Sequence, residues 1–285
     1  MGSRLGYVAT ASHRRLASLI APREHGAWGL LLVPLVTGGA VGVLGGGSTL
    51  PLIVFAVAAV SIFWLKAPLE SWLGRSLVRV QTDLEHRIVG ITTLLLAAIG
   101  ASALAFLLWD GRNRALLLLG LIAIFAFLAQ VCVGRLGRKR RMWAQIVGTL
   151  GLTVTAPAAY YLATRQLSRV SFVLWLATFL FAANQIHFVQ LRIHSARVKG
   201  WFHKLEHGRG FLVGELLLAT VLLLAWRWQI LPGLAALSFL PLLVRGTAWL
   251  FARQKPLVVR RLGWTELAHA VVFGGLFTAG FHFGR

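Results

Sequence analysis

The residues able to carry chemistry are few: nine histidines, eight acids and one cysteine in 285 residues. Asn184, His187 and Leu191 recur at i, i+3 and i+7, with His194 at the next step and Gln190 and Arg192 beside them. That spacing sets Asn184 and His187 on one face of a helix. Such a face turns toward other helices, because polar atoms facing lipid find no partner. His187 is placed there as a base or metal ligand. Arg192 is placed as the holder of an anionic group, since guanidinium grips phosphate bidentately. Hydrogen bonding between helices is the competing use of the same polar face.

Glu24 and His25 are the next acid–base candidates. The triplet Glu24-His25-Gly26 returns as Glu206-His207-Gly208, each time just before a long apolar run. Glu24 would equally complement the positive end of a helix dipole. Glu215 sits about five residues inside an apolar run, where an ionisable group is costly and therefore a functional candidate. His203-Lys204-Leu205-Glu206-His207 matches H-x-x-E-H, in which two His one turn apart ligate zinc. His203 and His207 are thus candidate metal ligands, against a basic interfacial loop. Glu266 and His269 form a single carboxylate–histidine pair, and di-iron bundles need two. His187 and His269 are the candidate axial pair for a haem. The cofactor stays undetermined among these. Cys132 is the single cysteine, which excludes an intramolecular disulfide and any Cys-based metal cage.

These residues must be positioned by membrane helices. Hydrophobic residues make up 58% and charged ones 13%, against about 25% charged in soluble domains. Apolar runs of spanning length fall at about 27–46, 49–65, 88–108, 115–134, 144–163, 170–189, 210–226, 229–250 and 263–283. The expected fold is all-α: one integral membrane domain over 1–285 with nine transmembrane helices. With the N-terminus inside, 23 of the 29 Lys and Arg fall on one side and six on the other. That asymmetry predicts a cytoplasmic N-terminus and an external C-terminus. The net charge of +21 is then the inside rule meeting anionic lipid, not a nucleic-acid footprint. Residues 1–26 carry no clean apolar core and do not read as a signal peptide.

Two inside connections read as long, Lys66–Arg87 and Gln190–Arg209, and long loops on a short-looped scaffold tend to carry function. The first holds Glu70 and Arg75, both candidate ligand-binding residues. It also predicts a short amphipathic helix with Leu69, Trp72, Leu73, Leu77 and Val80 on one face.

Arg23-Glu24-His25-Gly26-Ala27-Trp28, followed by Leu31-Leu32-Val33-Pro34, resembles the opening motif of the YwiC-like family of bacterial membrane proteins. Glu24 stands where that family usually has Gln. Arg261-Leu262-Gly263-Trp264-Thr265-Glu266-Leu267 is similar to the family's last helix. The resemblance implies a bacterial cytoplasmic membrane location. Nine spans with long inside loops after the second and sixth are also similar to the UbiA prenyltransferase superfamily, whose two Asp-rich loop motifs hold Mg²⁺ and a prenyl diphosphate. Here the first loop has Glu70, Asp83 and Glu85, and the stretch Asn184–His194 has no acid. This resemblance implies the architecture and not the metal-dependent activity.

The functional expectation is a cytoplasm-facing, His/Arg-lined cavity for an amphipathic anionic ligand, isoprenoid-like, in contact with membrane lipids and not nucleic acid. Its candidates are His25, His187 and Glu24 for acid–base work, and Asn184, Arg192, Glu70, Arg75 and Glu215 for binding. Transfer chemistry on a lipid would fit. A transporter is the rival, and a non-catalytic haem- or metal-handling factor the third reading.

Overall fold

The computed structural model of the chain describes residues 15–21, 25–76, 78–109, 114–137, 140–196, 200–252 and 257–284, with His25 and Gly26 described by backbone alone. Among these residues the regular elements are helices. They are α1 (15–20), α2 (His25–Leu44), α3 (Leu50–Trp72), α4 (Asp83–Leu108), α5 (Arg114–Arg135), α6 (Arg141–Thr153), α7 (Thr155–Thr164), α8 (Arg169–His194), α9 (Trp201–Arg227), α10 (Gly233–Leu237), α11 (Leu240–Phe251) and α12 (Val259–Phe283).

Eight segments among the described residues are long and apolar enough to cross a bilayer. They comprise α2 from Ala27, α3, α4, α5, the pair α6–α7, α8, α9, and the pair α10–α11. The helix α12 is 25 residues long but is not among the eight, because Glu266, His269 and His282 dilute its hydropathy. Each apolar run read from the sequence falls largely on one of these helices or helix pairs. The helices also outrun the apolar stretches. The connection expected over Lys66–Arg87 shrinks to 73–82, and that over Gln190–Arg209 to 195–200. The reason is the same at both. Polar residues with good helix propensity simply extend the spans past the hydrocarbon. Leu69 and Trp72 therefore continue α3 and do not belong to a separate helix. Leu77 lies outside the described residues.

The chain forms two compact units. The first holds α1, α3 and α4, within Met1–His25 and Leu50–Arg112. Gly100 lets α4 approach α3, since a Cβ there would lie 3.0 Å from Ile62 Cγ1. A polar latch fastens α1. Arg15 Nε donates to Glu85 Oε1 at 2.7 Å, and Arg15 Nη2 to the Arg79 carbonyl at 2.9 Å. Glu85 Oε2 accepts from the Gln81 amide at 2.7 Å, and the Thr82 hydroxyl caps α4 by accepting from the Glu85 amide at 3.2 Å. The free carbonyls at the end of α1 are taken by Ser71 Oγ, on Leu19, and Trp64 Nε1, on Ile20. Unpaired carbonyls at a helix end need such donors.

The second unit holds α2 and α5–α12, within Gly26–Thr49 and Asn113–Arg285. Two of its spans are broken, and proline explains both. Pro157 has no N–H for the Thr153 carbonyl, and Pro241 none for that of Leu237, so the helix restarts at Thr155 and at Leu240. An aromatic stack fills the interior. Phe181 stacks on Phe273 at 4.2 Å between ring centres, Phe239 meets Phe273 edge-on at 4.9 Å, and Phe277 continues the row at 5.2 Å. The helices α2 and α7 touch through small residues. A Cβ on Gly42 would lie 2.7 Å from the Ala163 Cβ, the close backbone approach that small residues permit in membranes.

Gly42→Val is expected to cost about 1–3 kcal/mol by overpacking and to lower the thermal midpoint in detergent. Gly275→Val, with nothing within 4 Å of its would-be Cβ, is expected to leave it nearly unchanged. Scanning fluorimetry on the two variants checks this.

Candidate functional site

Four helices of the second unit converge on a charged cluster. The helix α9 brings Glu215, buried at 5% exposure, and α12 brings Glu266, at 6%. Arg245 comes from α11 with its side chain 10% exposed. The helix α8 supplies Asn184, Gln185 and Phe188. Arg245 Nη1 forms an ion pair with Glu266 Oε2. Its Nη2 donates to Asn184 Oδ1 at 3.4 Å, and its guanidinium lies 4.1 Å from the Phe188 ring centre. Asn184 in turn donates through Nδ2 to Glu215 Oε1 at 2.8 Å. Gln185 Nε2 donates to the Glu266 backbone carbonyl at 2.7 Å and ties α8 to α12.

Small residues and sequence order make this local geometry possible. A Cβ on Gly246 would sit 2.8 Å from Glu215 Oε1, so only glycine lets the carboxylate lie against the α11 backbone. Asn184 and Phe188 are one turn apart on α8 and present an amide and a ring to the same guanidinium. Arg192, one turn further, is half-buried and within electrostatic reach of Glu266. Placing two carboxylates and a guanidinium in an apolar interior costs several kcal/mol per ion, offset only by good mutual geometry. Here the satisfaction is incomplete. Glu215 Oε2, Glu266 Oε1 and Arg245 Nε are buried without a hydrogen-bond partner.

A second buried cation serves the fold. Lys204, expected in a loop, lies on α9 at 5% exposure. Its Nζ donates to the Ala252 and Trp249 carbonyls at 2.6 and 3.3 Å and closes the C-terminal end of α11.

Of the candidate residues, Asn184 and Glu215 meet directly. His187 is half-buried on the α9 side, edge-on to Phe211 at 5.3 Å, and its Nδ1 would be 3.9 Å from a Cβ on Gly214. Glu70 and Arg75 are exposed residues of the first unit, and the Arg75 amide closes a turn on the Glu70 carbonyl at 2.8 Å. Glu24 and the His25 side chain lie outside the described residues. His203 and His207 are exposed on the first turns of α9. His203 Nδ1 is 3.9 Å from Glu206 Oε2, and His207 Nδ1 faces the His203 carbonyl at 2.9 Å. Among the described residues no group of three or more His, Cys, Asp or Glu is placed to hold a metal ion. His269 Nδ1 faces the Thr265 carbonyl at 2.7 Å, while Glu266 takes Arg245.

Arg245 is the residue that sequence reasoning missed. It is one of the inside charges at the end of the eighth apolar run and its loop, and the inside rule accounts for it. Its signal was its place within the run 229–250, five residues before the last apolar position.

Fold and site together define a multi-pass α-helical membrane protein with a charged cluster sunk among its helices. Residues 21–160 match the family described as YwiC-like protein, and over that stretch the chain is similar to that family. No curated protein and no solved structure matches the chain. The cluster residues all follow the matched stretch.

Arg245→Met strands Glu266 without its cation and is expected to cost about 3–5 kcal/mol. The double variant Arg245→Met/Glu266→Met is expected to recover most of that loss. A double-mutant cycle of unfolding in mixed micelles measures the coupling.

Proposed function

We propose that the chain is one integral domain of the bacterial cytoplasmic membrane with nine spans, α12 being the ninth, N-terminus inside and C-terminus outside, and UbiA-like in architecture. The distribution of Lys and Arg supports the orientation. In that orientation α9 runs outward from Trp201, so the charged cluster belongs to the inner half of the second unit. We further propose that this unit binds an amphipathic, isoprenoid-like lipid. The observation that carries this reading is an apolar cavity of about 460 Å³ between α9 and α10–α11, lined by Ala219, Leu222, Trp226, Ala236, Leu240 and Leu243. It begins one turn beyond Glu215 and ends two residues before Arg245. A ligand there has its tail in the cavity and its head toward the cluster. Head inward and tail outward is the polarity of a lipid from the inner leaflet. Arg192 and Arg245 would hold an anionic head, Asn184 would orient it, and His187 would act as a base beside it. The proposal rests on the second unit alone. The buried carboxylates favour a second reading, a transporter that uses them along its path. Flux in proteoliposomes separates the two.

Two measurements check these readings. In a Cys132→Ser background, a cysteine replacing exposed Trp109 is expected to react with an impermeant maleimide from outside. One replacing exposed Leu136 is expected to react only after permeabilisation. The reverse pattern removes the orientation. A fluorescent polyprenyl phosphate titrated into purified protein is expected to saturate. Ala219→Trp, which fills the cavity, is expected to weaken binding by about tenfold or more, some 1.4 kcal/mol. Unsaturable binding, or equal binding by the variant, removes the lipid reading.

A further inference from the structure

The lipid reading leaves the Glu215 carboxylate half used. Its Oε1 accepts from Asn184, but Oε2 is buried and has no partner. Its cation is shared: Arg245 is committed to Glu266 and reaches the α9 side only through Asn184 Oδ1. Two carboxylates thus share one guanidinium, Glu266 by direct pairing and Glu215 through Asn184. An ionised carboxylate in this setting lacks both a full countercharge and a full set of donors, and uncompensated charge is costly in an apolar interior.

The occupant that completes the group must also be small. Gly246 closes on the carboxylate so tightly that an added Cβ would lie 2.9 Å from Oε2 as well as 2.8 Å from Oε1. With Oε2 itself buried, no space is open beside it for a hydrated metal ion. A proton needs no space. The groups facing Glu215 are known from each element packed on α9. The helix α8 presents Asn184, with His187 and Arg192 further along; α11 presents Arg245; α10 has no titratable residue. Glu266 of α12 acts through Arg245.

We propose that Glu215 is the binding site for one exchangeable proton, taken up on Oε2 within the cluster that Asn184, Arg245 and Glu266 complete. The oxygen–hydrogen bond forms with a proton from water and returns it to water on release. The neutral carboxyl then leaves Arg245 balanced by Glu266 alone. This inference stands on the cluster and does not require a bound lipid.

Infrared difference spectroscopy of the detergent-solubilised protein between alkaline and acid pH tests it. The protonated-carboxyl C=O band is expected to rise on acidification, with uptake of about one proton per chain at this site. It is expected to vanish in Glu215→Gln and to persist in Glu266→Gln. Asn184→Leu removes a donor that favours the charged form, so the titration midpoint is expected to move to higher pH. This variant retains the carboxyl and serves as the test should Glu215→Gln fail to fold. A band that survives in Glu215→Gln, that is absent from the unmodified protein, that does not change with pH, or whose midpoint is unmoved in Asn184→Leu overturns the proposal. Loss of polyprenyl phosphate binding with this band intact removes the lipid reading alone.

Discussion

Burying charge in an apolar interior is the constraint around which the second unit is arranged. Glu215, Arg245 and Glu266 come from three different helices, and none could be tolerated alone at such depth. Their pairing requires α9, α11 and α12 to be at set heights relative to one another. Asn184 and Gln185 then bring α8 to the same level, one through the side chains of the cluster and the other through the Glu266 backbone. The cluster therefore specifies register among helices whose apolar surfaces would otherwise slide with little penalty. Packing of small and aromatic residues supplies the attraction; the charges supply the address.

The surrounding architecture makes room for this. Gly246 admits the Glu215 carboxylate to the α11 backbone. The proline-induced break before Leu240 lets α11 start afresh and carry Arg245 toward Glu266. Phe188 covers the guanidinium face with a ring instead of lipid. The row Phe181, Phe273, Phe277 and Phe239 packs the core beginning one helical turn before Gln185 on α8. The first unit solves a milder version of the same problem at its surface. There Arg15 and Glu85 pair where one partner keeps access to water, so the arrangement fastens a short helix and stores no comparable electrostatic demand.

The helices were almost fully legible from the order of residues, because twenty consecutive apolar side chains have few alternatives to a membrane helix. Their ends were not. Polar residues such as Glu70, Gln190 and Lys204 prolong helices beyond the apolar stretch, and hydropathy has no means of seeing this. Asn184 and Glu215 were both singled out, one by helical spacing and the other by depth, yet nothing in the sequence joined them. Glu266 was noticed beside His269, its neighbour on the same face, whereas its partner lies on another helix. Arg245 was absorbed by the inside rule, which explains many arginines and so distinguishes none.

Composition and periodicity by themselves determined the helical class, the approximate limits of the spans and the short list of polar residues inside them. These are local properties, set by the transfer of each side chain between water and hydrocarbon. Tertiary structure alone decided which of those residues meet. A partner for Arg245 is chosen by the crossing of α11 with α12 and by the glycine that permits α9 to draw near, and both depend on contacts between segments distant in the chain.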